Sequence, residues 1–129
     1  MSLSPAQAIA DLDMMLGHRE TVRLIRRSGP SQSVTFEVVC PARVKDYKPE
    51  ELVGNIEQGD SLVIISPTQI NEEGWPGPAT GPFSGDRRIP QAASDLIIIQ
   101  QKPRAVKSTY PVYLEGILVR LNVQVKGGV

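Results

Sequence analysis

SVTFEVVCPARV, residues 33–44, alternates apolar and polar side chains along almost its whole length. Val34, Phe36, Val38, Cys40, Ala42 and Val44 share one face, and Thr35, Glu37, Val39, Pro41 and Arg43 share the other. A period of two marks a strand, and a strand wet on one side marks an antiparallel sheet. Pro41 has no amide hydrogen to give a ladder, so this strand is expected at a sheet edge or bulged at that point.

The pattern extends outward in both directions. Upstream, ETVRLIRR (20–27) sets Val22 and Leu24 against Arg23, and SGPSQ (28–32) supplies hairpin residues between the two strands. Downstream, DSLVIIS (60–66) and SDLIII (94–99) are short apolar runs that suit central strands. GILVRLNVQVKG (116–127) alternates again, with Ile117, Val119, Leu121, Val123 and Val125 on one face and Leu118, Arg120, Asn122, Gln124 and Lys126 on the other. Lys102–Pro103 reads as a turn.

Helical signals are confined to two places. In LSPAQAIADLDMML, Ser4 can cap, Pro5 fits the first helical position and Gln7 stands where a capping box wants its glutamine. Ala6, Ile9, Leu12 or Asp13, and Leu16 follow helical spacing, with Asp11 and Asp13 mostly toward water and Gly17 as the stop, giving a helix over 5–16. SPTQINEEG (66–74) predicts one helical turn. One helix followed by five or six strands joined by turns is a mainly β architecture, a small antiparallel barrel or sandwich. A barrel also removes exposed sheet edges.

With 129 residues the chain is expected to form a single domain over 1–129. Fourteen basic residues balance fourteen acidic ones, so no bulk field holds nucleic acid or an anionic membrane. Charge varies locally: residues 19–27 are basic and residues 50–73 lean acidic. One cysteine excludes an internal disulfide and a multi-cysteine zinc site, and fits a reducing compartment. No apolar run approaches the roughly 18 residues of a spanning helix, and no signal-peptide core is present, so no membrane role is expected.

No reaction, cofactor or metal is expected either. His18, the only histidine, lies between a helix and Arg19 with no orienting partner in sequence, and reads as a surface residue. Cys40 sits on the apolar face of its strand, as a small hydrophobe. The pairs Glu50–Glu51 and Glu72–Glu73 point in different directions on a helical turn, so neither forms an acid–base dyad. Arg87, Arg88, Arg104 and Lys107 are too few and too scattered in a neutral chain to specify a phosphate backbone.

GWPGPATGPFSGDRR, residues 74–88, is the remaining feature: a long loop with four glycines and three prolines, the only tryptophan and one of two phenylalanines. It lacks the Gly-Lys-Ser/Thr ending of a phosphate loop, and its prolines remove amide donors. A loop of this length inside a small domain invites a function. Two readings stand: an extended arm whose Trp75 and Phe83 dock on another subunit, or a flap folded back over the end of its own barrel.

YKPEELVGNIEQGDSLVIISPTQINEEGWPGP (47–78) resembles the small proteins encoded in the head-to-tail gene blocks of tailed phages and prophages, in which an ELVGGI-QGD stretch runs into a strand, an SPT-I turn and a GWPGP loop. Residues 94–127 are similar to their closing barrel strands, although Ser94 stands where a glycine is usual. The resemblance implies a structural virion protein of the neck: a head-completion or stopper ring of six or twelve copies, between portal or adaptor and tail, around the DNA channel. It implies assembly in the bacterial host cytoplasm and passage of DNA without sequence-specific binding. On this basis Trp75, Pro76, Pro78, Phe83, Arg87 and Arg88 are assigned to contacts with a neighbour, and Glu50, Glu51, Glu57 and Asp60 to the channel side. The alternatives are an adaptor or tail-terminator ring of the same connector and, in a different class, a small nucleic-acid-binding β-barrel.

Overall fold

The computed structural model describes residues 4–17, 20–28, 34–47, 50, 54, 56, 59–77, 86, 88–92 and 95–127. In chain order these form α1 (Pro5–Leu16), β1 (Thr21–Ser28), β2 (Val34–Asp46), β3 (Ser61–Ile65), α2 (Thr68–Glu73), β4 (Asp95–Ile99), β5 (Lys102–Leu114) and β6 (Ile117–Val125). The strands close into an antiparallel barrel in the order β1-β2-β3-β6-β5-β4. Barrel, N-terminal helix and mainly β class are therefore as expected.

The helix begins as its sequence requires: Ser4 Oγ accepts the Gln7 amide at 3.1 Å. Gln7 does not return the capping-box bond; its Nε2 donates to Asp11 at 2.7 Å. Leu12 and Leu16 are buried against Ile64 and Leu62, on the outward face of β3, so α1 lies outside the barrel wall. Asp13 is half-buried. It accepts the Thr68 hydroxyl at 2.6 Å and ties α1 to α2.

The predicted faces of β2 hold: Val38, Cys40 and Ala42 are buried in the barrel, with Phe36 and Val44 packed against them, while Thr35, Glu37, Val39 and Arg43 are exposed. Burial raises the Cys40 thiol to about 12, as suits a packing residue. The closed sheet corrects the expectation that Pro41 marks an edge. The Ala42 amide donates to Glu20 at 2.9 Å, so Thr21 and Pro41 form the neighbouring non-hydrogen-bonded pair. The proline lies where β2 leaves β1 and begins pairing with β3 at Ala42, and β1 asks it for no amide hydrogen.

β6 keeps the predicted phase only in its second half, where Leu121, Val123 and Val125 point inward. Opposite it Val112 pairs with Arg120 but Tyr113 pairs with Leu118, leaving Val119 as an extra residue. This bulge flips the alternation, so Leu118 enters the core and Ile117 is exposed. The Lys102–Pro103 turn is also corrected. The chain turns at Gln100–Gln101 (φ 50° and 69°), and Lys102 and Pro103 pair with Ile99 and Ile98.

All strands run between the same two mouths. One, where β1 ends and β4 begins, is covered by Ile70 of α2 and by Trp75; we call it the plugged end. The other, where β4 ends and β5 begins, carries a pocket among the described residues, and we call it the open end.

Candidate functional site

At the plugged end, two inward positions that an apolar barrel would give to aliphatic residues hold charges. Arg26 continues the Val22–Leu24 face of β1, and its cross-strand partner on β4 is Asp95. Both side chains are fully buried. Asp95 accepts Arg26 Nε at 2.9 Å and Nη2 at 2.8 Å, a bidentate fork. Arg26 also donates to the Ile89 carbonyl at 2.9 Å, and Asp95 takes the Gln91 amide at 2.6 Å. The pair thus fastens residues 89–91 to the barrel mouth.

Trp75 lies over this pair. Its ring centre is 4.7 Å from the Arg26 guanidinium carbon, a cation–π contact, and its Nε1 donates to the Phe36 carbonyl at 2.9 Å. The residue is 3 % exposed and belongs to the core together with Ile70 of α2. Gly74 makes this possible by ending α2 in the left-handed conformation (φ 65°), which sends the chain back so that the Trp75 amide bonds the Ile70 carbonyl at 3.1 Å.

The assignment of Trp75 and Pro76 to a neighbour's surface is therefore corrected. Both are buried within their own chain, because an indole over a buried guanidinium is better placed there than in water. The flap reading describes this part of the loop. Arg88, half-buried, is also turned inward on its own chain: it pairs with Asp86 at 2.6 Å and reaches Asn71 Oδ1 at 2.8 Å. Its hydrogen bonds hold the Asp86 carboxyl down at about 2, and Asp86 in turn raises Arg88. Tyr113 donates to the same carboxylate at 3.2 Å. Pro78, Phe83 and Arg87 lie outside the described residues.

The open end is polar. A pocket of about 650 Å³ is lined by Glu20, Asp46, Asp60, Lys102 and Arg104, among others. Asp60 does not offer negative charge to a channel, as the sequence suggested. It is 4 % exposed and accepts Lys107 Nζ at 2.8 Å and Gln124 Nε2 at 3.2 Å. Lys107 aims there as the extra residue of a bulge between Val106 and Ser108. Arg104 bonds the carbonyls of Lys126 (2.6 Å) and Gly59 (2.9 Å). Glu50 is exposed. Glu51, Glu57 and His18 lie outside the described residues.

The pocket mixes acidic and basic side chains, and among them Asp60 and Arg104 are held by hydrogen bonds within the chain. Among the described residues no three His, Cys, Asp or Glu side chains are grouped to hold a metal, and no helix is long and apolar enough to cross a membrane.

The third feature is a flank. Seven large apolar residues are exposed among those described, and all but Val39 lie on α1 (Met14, Met15) or on the β5–β6 hairpin (Tyr110, Val112, Tyr113, Ile117). Sequence reasoning missed this cluster because the hairpin's outer face is set by the Val119 bulge. It also missed Arg26 and Asp95, although both occupy inward parity in their strands. Compared with protein-family models, with curated proteins and with solved structures, the chain matches none of them.

Proposed function

We propose that this chain is a ring-forming structural protein of a tailed-phage neck, a head-completion or stopper subunit between portal and tail. One observation carries the reading: the exposed large apolar side chains gather on α1 and the projecting hairpin instead of scattering. Exposed apolar side chains concentrated on two elements of a small folded body, with Met15 and Val112 lining one groove, suit a surface that is covered by protein.

Two further features support it. A six-stranded barrel is too narrow to enclose more than its own side chains, and this one is packed with Val22, Leu24, Val63, Leu121 and Val123. DNA would therefore pass through the centre of a ring of copies, not through a subunit. Zero net charge suits a collar that surrounds DNA without gripping it, since tight binding needs many uncompensated cations. The likeness of residues 47–78 to phage head-to-tail proteins supplies the biological setting. A DNA-binding barrel is the weaker reading, because Arg26, Arg88 and Lys107 are engaged by carboxylates of their own chain.

Purified tailed particles provide the test. An antibody raised against this chain should label the junction of head and tail. Deleting its gene should yield filled heads and free tails that do not join. Particles that mature normally without the chain would refute the proposal.

A further inference from the structure

We infer that the groove between α1 and the β5–β6 hairpin receives the tip of the same hairpin from a second copy of this chain. The inference deepens the ring reading, on which its biological setting rests. The groove has a volume of about 280 Å³, with Ala8, Leu12, Met15, Val112 and Val119 as its apolar lining and Asp11 and Arg120 beside them. Arg120 donates Nε to Asn122 Oδ1 at 2.8 Å and forms no ion pair among the described residues. A half-buried guanidinium next to an apolar floor calls for an occupant with a carboxylate beside an aliphatic side chain.

The chain carries that combination at Glu115–Gly116–Ile117. Ile117 is 51 % exposed, Glu115 is exposed, and Glu115 makes no hydrogen bond or ion pair among the described residues. Glu115 lies three strand residues beyond Val112, about 10 Å past the groove wall, so a copy cannot fold its tip into its own groove. A convex tip on one copy and a concave groove on the next make a heterologous contact, which generates a ring when the rotation closes. A two-fold contact pairing Asp11 of each copy with Arg120 of the other is the competing arrangement. Hydrogen bonding favours the tip: Asp11 already accepts Gln7, whereas Glu115 has no partner among the described residues.

Charge reversal separates the two. Arg120→Glu and Glu115→Arg should each raise the concentration of half-assembly, read by sedimentation velocity, at least about tenfold. The double variant should recover assembly. An equimolar mixture of the two single variants should also assemble, because each tip then meets a groove of opposite charge on the other variant, and only rings of even copy number should form. The mixture guards against misfolding, since unfolded chains would not rescue one another. Wild-type-like assembly of Glu115→Arg overturns the inference, and so does loss of assembly in Asp11→Arg, which breaks the two-fold contact but leaves the tip a positive groove. So does a wild-type chain that stays monomeric at its highest soluble concentration. Membership of a phage neck is decided independently, by the particle experiment.

Discussion

The two mouths of the barrel each hold a carboxylate paired with a cation, and the pairs differ in what surrounds them. At the plugged end Arg26 and Asp95 are sealed on every side, with Trp75 above them. At the open end Asp60 borders a pocket of about 650 Å³, and its partner Lys107 retains 11 % exposure. Desolvation makes a buried ion pair costly to form and costlier to break, because the orphaned charge has no water to turn to. A rim pair can rehydrate. The plugged end therefore behaves as a lock on the flap, and the open end as an adjustable rim.

The largest test of this difference is Asp95→Asn. It strands the Arg26 charge and should cost about 3–5 kcal/mol in urea unfolding. A loss below about 1 kcal/mol would mean that water reaches the pair, and the contrast between the ends would collapse. Trp75→Ala comes next. Removing a buried aromatic costs about 3–5 kcal/mol, and with the Asp95 lock intact the lower half of that range is expected. Trp75→Phe keeps the ring over Arg26 and loses the bond to Phe36, for about 1 kcal/mol. Because Trp75 is the only tryptophan, its fluorescence reports the flap directly. Emission should be blue-shifted and shielded from acrylamide in the native chain, and should redden in folded Asp95→Asn.

The same contrast explains what the sequence revealed. β2 was legible because its two faces meet different solvents, so alternation survives along 34–44. The half of β6 from Leu121 was legible for the same reason. Its first half was not, since a bulge costs one residue and leaves no mark in composition. The turn at Gln100–Gln101 was hidden because neither residue is a usual left-handed former. Trp75 looked like an arm because an aromatic beside glycine and proline reads as unsupported; its support comes from Arg26 and Phe36, distant in the chain. Arg26 looked like part of a basic surface stretch. Only its partner Asp95 makes it a core residue, and that pairing spans 69 positions.

At the open end, Asp60→Asn should cost about 1–2 kcal/mol, since it removes a charge-assisted bond but leaves Lys107 able to reach water. A loss equal to that of Asp95→Asn would show that the rim is as sealed as the plug.

The smallest effect concerns the strap after the flap. Arg88 and, more weakly, Tyr113 hold the Asp86 carboxyl at about 2, below its ordinary 3.8. A carboxyl lowered on folding contributes stability above its unfolded value, and that contribution disappears as pH falls from about 4 to about 2. Asp86→Asn should therefore flatten the acid limb of the stability curve across this window. Because Asp86 and Arg88 retain 22 % and 32 % side-chain exposure, screening keeps the loss at neutral pH under about 1 kcal/mol. Trp75 emission should not move, since the indole is held by Phe36 and Arg26 and not by this strap. If it reddens on acidification in the native chain but not in Asp86→Asn, then the strap holds the flap shut, and the lock at the plugged end is shared between Asp95 and Asp86.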